Sequence, residues 1–289
     1  MDLDLGRHKE FRFSRDGAYV AVGICQLGSR SRAEVCVIRV GDGKRFDLPE
    51  VAYDFGGRRL DIDPESLTLF SGAYARMGIA AYDFESGTVA WHRRDLKTLG
   101  ALTYDAFEGV LYCLCERRTV VLTASNGKEH AYYRELNDVF VSSDSKFAVF
   151  DAAEVKLQNR ATQSVHVLPR STGDILRVAF TGSAAVLSWV SGPVTAYDLE
   201  SGQLLWSYKP DGTHAYSLAP ASDNASVWVA EQPGFKEQPW HRARLLSSAG
   251  EIKQEVRCAL GHSFAIAPYC DSVIRGNLVA TPIAALGSS

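Results

Sequence analysis

Asp61-x-Asp63-x-Glu65 sets carboxylates at alternate positions, as a calcium-binding loop does at its start. The glycine such a loop needs at its sixth position is missing. Asp63-Pro64-Glu65-Ser66 is accounted for as a turn, so no metal site is expected there. The seven histidines, His8, His92, His130, His166, His214, His241 and His262, are dispersed along the chain and read as surface or hydrogen-bonded structural residues. Six cysteines, Cys25, Cys36, Cys113, Cys115, Cys258 and Cys270, form no Cys-x-x-Cys pair and have no histidine pair at zinc-finger spacing. They read as reduced thiols packed like small hydrophobes. No Gly-x-Ser-x-Gly elbow and no Walker loop is present. Gly41-Asp42-Gly43 precedes no helix, which removes a dinucleotide role. No catalytic residue, metal or cofactor is expected.

The chemistry that does stand out is that of an interface. Glu231 to Arg242 holds Phe235, Trp240, His241 and Arg242 in a stretch punctuated by Pro233 and Pro239. It interrupts an otherwise regular alternation of strand and turn. Long loops on a rigid scaffold tend to carry function, and aromatic residues and arginine are enriched where binding energy concentrates.

The elements that must carry that loop are read from a stretch that occurs twice. Tyr82-Asp83-Phe84-Glu85-Ser86-Gly87 is followed by Trp91, and Tyr197-Asp198-Leu199-Glu200-Ser201-Gly202 by Trp206. Each reads as strand, tight turn, strand. Polar turns recur at 15–17, 63–66, 105–109, 143–146, 181–183, 222–224 and 269–271, each before a short run of β-branched or aromatic residues. Between successive turns there is room for two more strands. Four strands per unit and a period of about 40 residues indicate propeller blades. Trp91, Trp206, Trp189 and Trp228 are expected to be buried core.

The Asp-x-x-x-Gly-x-x-x-Trp pattern at Asp83, Gly87, Trp91 and at Asp198, Gly202, Trp206 resembles the blade motif of quinoprotein-like (PQQ-type repeat) propellers. Phe13-Ser14-Arg15-Asp16-Gly17 resembles the turn of WD40-like propellers. The resemblance covers nearly the whole chain and implies a fold, not a cofactor. The expectation is an all-β, seven-bladed β-propeller of four-stranded antiparallel blades, occupying residues 1–286, with 287–289 as a disordered tail. The last unit shows three strands, and Met1 to Leu5 is expected to supply the fourth, closing the ring by pairing the N- and C-terminal strands. In such a fold, corresponding connections emerge on one face. Arg30, Arg32, Tyr74, Arg76 and Arg117, with Arg118, would then share a face with the long loop.

Composition narrows the partners. The chain has 289 residues, 46% hydrophobic and 22% charged, with a formal net charge of −3. That balance gives no general attraction to nucleic acid or an anionic membrane. The acidic start is no secretory signal, and a cytoplasmic protein is expected. The uncharged stretch 178–197 is broken by Gly182, Gly192 and Pro193 into short strands, so no membrane span is expected. The reading is a non-enzymatic propeller that binds a protein, such as a toxin or effector held by an inhibitor or immunity protein. The competing reading is a lactonase- or hydrolase-like enzyme with its site at the channel mouth.

Overall fold

The computed structural model describes residues 7–26, 34–48, 51–53, 58–73, 77–116, 118–210, 214–232, 241–258, 264–275 and 280–283. The described residues form 27 β-strands, which fall into seven successive antiparallel sheets. The chain comprises two compact units, Met1–Ser145 and Lys146–Ser289.

In the first unit, β1 (Arg7–Phe13), β2 (Tyr19–Gln26), β3 (Glu34–Arg39) and β4 (Arg45–Leu48) pair in chain order. So do β5 (Leu60–Asp63), β6 (Thr68–Gly72), β7 (Ile79–Asp83) and β8 (Thr88–Arg93), and then β9 (Thr98–Asp105), β10 (Val110–Cys115), β11 (Arg118–Thr123) and β12 (Glu129–Tyr133). The unit ends on β13 (Asp138–Val141) and its turn. Its apolar faces meet between neighbouring sheets. Ala21, Val37, Phe46, Leu60, Ile62, Leu69, Tyr82 and Phe84 form one layer, and Phe70, Ile79, Leu102, Leu111, Cys113, Val120 and Leu122 the next.

The second unit begins with β14 (Phe147–Asp151), β15 (Val155–Asn159) and β16 (Ser164–Leu168). Then come β17 (Ile175–Phe180), β18 (Ala184–Trp189), β19 (Val194–Asp198) and β20 (Leu204–Tyr208), followed by β21 (His214–Pro220), β22 (Val227–Gln232), β23 (His241–Leu246) and β24 (Ile252–Cys258). The last sheet has three strands among the described residues, β25 (Phe264–Ala267), β26 (Ser272–Arg275) and β27 (Ala280–Pro282). The expected closing strand, Met1 to Leu5, and the tail 287–289 lie outside the described residues. The uncharged stretch 178–197 is divided among β17, β18 and β19, whose side chains are mostly buried. No described helix is long and apolar enough to cross a membrane.

The repeated Asp-to-Trp stretch shows why these turns form where they do. The Asp83 Oδ1 accepts from the amides of Glu85 and Ser86, both at 2.9 Å, and the Asp198 Oδ1 accepts from those of Glu200 and Ser201 at 3.2 and 2.8 Å. The side chain thereby satisfies backbone donors that the strand ladder has left behind.

The tryptophans correct one expectation. Trp189 and Trp228 are buried core, as expected, but Trp91 and Trp206 are only half-buried. They stand on β8 and β20, fourth strands with a neighbour on one side alone. Each indole reaches the turn between the third and fourth strands of the following sheet. Trp91 Nε1 donates to the Ala124 carbonyl at 2.7 Å, and Trp206 Nε1 to that of Ser248 at 3.0 Å. Gly127 and Gly250, at φ +67° and +78°, give the rings room. A Cβ there would lie 2.6 Å from Trp91 and 2.8 Å from Trp206. His166 on β16 occupies the same register beneath Gly202, where a Cβ would meet its own Cβ at 2.4 Å. β8 and β20 reach that register through a β-bulge, and β16 without one.

Gly127→Ala is therefore expected to destabilise the protein by more than Gly87→Ala. Both replacements carry the left-handed backbone cost of about 1–2 kcal/mol. Only the first also forces a ring aside, because nothing lies within 4 Å of a Cβ at Gly87. Denaturant midpoints that coincide for the two variants would contradict the docking described here.

Candidate functional site

The nominated interface residues separate on inspection. Arg30, Arg32, Tyr74, Arg76, Arg117, Phe235 and Trp240 lie outside the described residues. His241 and Arg242, expected in the long loop, stand instead at the start of a strand. β22 runs through Gln232 and β23 resumes at His241, which pairs with Cys258 as Arg242 does with Glu231. The two belong to the strand ladder, and the connection proper is 233–240. Arg242 is half-buried. Arg118 opens β11, where it forms an ion pair with Glu129 at 3.8 Å and lies over the Tyr132 ring.

Beside the base of that connection the second unit holds a buried charged group. Glu231 is 1% exposed, and Arg244 donates to its Oε1 at 3.4 Å. Arg244 also donates to Glu255 Oε2 at 2.8 Å and contacts the Tyr208 hydroxyl, which in turn donates to Glu231. Burial, reinforced by the Glu231 carboxylate, pushes the Tyr208 phenol up, so it stays protonated and serves as donor. Among the described residues Glu231 Oε2 has no hydrogen-bond partner.

The first strands of the first unit carry a set of carboxylates, of which Asp61 and Asp63 belong to the alternating acidic pattern. Asp61 is gripped by Arg12 through two bonds of 3.1 and 3.2 Å, and also accepts from the Tyr104 amide at 2.8 Å. Glu10 accepts from the Tyr53 hydroxyl and the Arg59 amide, both at 2.8 Å. Asp138 is paired with Arg58, whose guanidinium lies over Phe140. Asp63 caps its own turn through the Glu65 amide and the Ser66 hydroxyl. Asp61, Glu10 and Asp138 tie the first strands of the unit to one another and to the segment that precedes β5.

A different site emerges at the turns between first and second strands. Their tips in the first unit enclose an open depression of about 510 Å³. Counted from Ser14, Asp63, Asp105 and Ser142, the third position of each turn carries Asp16, Glu65, Phe107 and Asp144, and all four are exposed. Arg15 braces the wall, donating to Ser145 Oγ at 3.4 Å and pairing with Glu65. Asp16 and Asp144 are held by their own turns, accepting from Ser14 Oγ at 2.6 Å and Ser142 Oγ at 2.7 Å. Each of these turns is legible in the sequence as a polar break between strands. Comparing their third positions would have exposed the series acid, acid, aromatic, acid. The strands flanking the nominated arginines, β2 and β3, β6 and β7, and β10 and β11, meet at the other end of each sheet from these tips.

No family model matches the sequence, and no curated protein does. Solved structures do match. The C-terminal WD40 domain of Sif2 is similar over 92% of this chain and 77% of its own, with a TM-score of 0.63 and 11% identity. BamB from Moraxella catarrhalis is similar over 96% and 80%, with a TM-score of 0.58 and 13% identity. Hsv2 from Kluyvelomyces marxianus is similar over 84% and 77%, with a TM-score of 0.59 and 9% identity. At such identities the likeness establishes the fold alone, and the fold is the seven-bladed β-propeller of WD40-like and quinoprotein-like chains.

Proposed function

We propose that the protein is a non-enzymatic scaffold that binds another protein, and that it acts in the cytoplasm by holding a toxin or effector inactive. The observation that carries the reading is the state of the first-strand carboxylates. Asp61, Glu10 and Asp138 are each engaged by an arginine or tyrosine, or by a backbone amide. A hydrolase needs a carboxylate or histidine facing its substrate beside a group it can activate. Propellers of this kind serve generally as protein-interaction scaffolds. The thiols of Cys113 and Cys115 are buried, and burial raises that of Cys115 to about 11, which keeps it protonated and unreactive.

Capture from native lysate on the immobilised full chain, followed by titration of the purified partner, tests this. The expected result is one protein bound at a fixed ratio whose toxic or effector activity falls as it is titrated. Turnover of a lactone or ester by the chain, with no protein retained, would overturn the reading in favour of an enzyme.

A further inference from the structure

We propose that two copies of this chain pair through the outer edge of β16, strand against strand, about a two-fold axis that passes beside His166. Each described fourth strand has a neighbour on one side only, and a strand edge left open is a template for another strand. The other fourth strands carry features that discourage such pairing. β8, β12, β20 and β24 each run through a bulge, which breaks the even row of amides and carbonyls. β4 is only four residues long and sets Arg45 and Asp47 at its exposed positions. β16 has neither protection. It pairs with β15 from Ser164 to Leu168 without a shift of register, and none of its five residues is charged. Val165 and Val167 on this strand are 52% and 58% exposed. Among the described residues no strand pairs with its other edge.

The occupant that fits this edge is a second copy. A two-fold interface sets the same surface against itself, so a strand that meets its own mate must hold nothing that repels itself. With the axis beside His166, Val165 of one copy lies opposite Val167 of the other, twice over, and Ser164 lies opposite Leu168. Cross-strand pairs of β-branched residues stabilise an antiparallel sheet, and no like charges meet. Successive side chains of a strand point to opposite faces, so the His166 ring lies on the face away from the two valines. There it is held against Gly202 of its own chain. No charge on β16 steers or selects a different protein, whereas self-pairing needs no match beyond the strand's own sequence. Two strands of five residues bury less than the about 1,200 Å² of a standard interface, so the dimer is weak and concentration-dependent. Pairing uses up the β16 edge of both copies, so association stops at two.

Sedimentation equilibrium of the full chain over about 1–500 μM, a range that brackets weak association, tests this. The expected result is a shift from monomer toward dimer and no further. Val165→Lys with Val167→Lys sets lysine opposite lysine twice and should weaken the dimer by at least about tenfold. Val165→Lys with Val167→Glu sets lysine opposite glutamate twice and should hold the dimer to within about threefold of the parent. Both positions are exposed in the single chain, so thermal unfolding of the variants should match the parent. Leu204→Lys, at a similarly exposed position on the bulged β20, should leave association unchanged.

A monomer at every concentration, a dimer that the double-lysine variant keeps, or one that Leu204→Lys weakens as much would overturn the proposal. So would equal loss in the lysine–glutamate and double-lysine variants, since the two-fold register requires them to differ. Growth beyond a dimer would overturn it as well. A chain that stays monomeric, yet loses a captured protein in the double-lysine variant, would give the edge to that protein and overturn the pairing of copies while leaving the binding function standing.

Discussion

Replacing Arg244 with alanine is expected to cost about 3–5 kcal/mol of folding stability, the range for removing one partner of a buried ion pair. The Arg244 side chain is 7% exposed and faces two carboxylates, Glu231 and Glu255. Without it, Glu231 retains the Tyr208 hydroxyl as its charge-stabilising neighbour in a nearly dry site. The cost is that of an unanswered buried charge and not the intrinsic worth of the pair. The double change Glu231→Leu with Arg244→Met should therefore recover most of the loss, since apolar groups of similar size need no answer. Arg257→Ala, at a guanidinium 74% exposed and paired with the same Glu255, should change stability by less than about 1 kcal/mol. Urea denaturation of the three variants decides the matter. An Arg244→Ala midpoint equal to that of Arg257→Ala would mean that the site is wet.

The second large effect is at Trp189. Its side chain is fully buried, and its Nε1 donates to Thr195 Oγ1 at 2.9 Å. Truncation to alanine should cost about 3–5 kcal/mol through the cavity it leaves. Trp189→Phe keeps much of the volume but strands the Thr195 hydroxyl, and should cost about 1–3 kcal/mol. Trp206→Ala should cost less than Trp189→Ala, because the Trp206 indole already shares its surface with water. Calorimetric unfolding of the three variants would show that order. The reverse order would place Trp206 in the core.

Much of the fold was legible because turns and strands announce themselves locally. Asp83, Gly87, Asp198 and Gly202 have the types that Asx turns and left-handed backbone require, and the turns at 15–17, 63–66, 105–109, 181–183, 222–224 and 269–271 each lie between paired strands of one unit. Trp91 was harder, because a residue type says that a side chain wants cover but not which strand it stands on. The end of β22 was misjudged because Glu231 and Gln232 are polar, and polarity alone does not reveal that a strand continues into a buried ion pair. Asp16, Phe107 and Asp144 were missed for a different reason. A site built from the tips of separate turns has no sequence signature until the turns are overlaid, and any one tip is an ordinary solvated residue.

The bulges of β8 and β20 carry an evolutionary consequence. From the turn residue Asp83 to Trp91, and from Asp198 to Trp206, the count is one greater than from Asn159 to His166, yet all three side chains dock at one register. A one-residue insertion into an ordinary strand turns every later side chain to the opposite face. Here the inserted residues, Ala90 and Leu205, are absorbed locally and the docking side chain keeps its face. Outer strands of this kind accept single-residue insertions and deletions without loss of the lock. Repeats can then drift out of step in length while their geometry is kept, and a comparison that aligns them by fixed columns recognises Trp91 and Trp206 as equivalents and passes over His166.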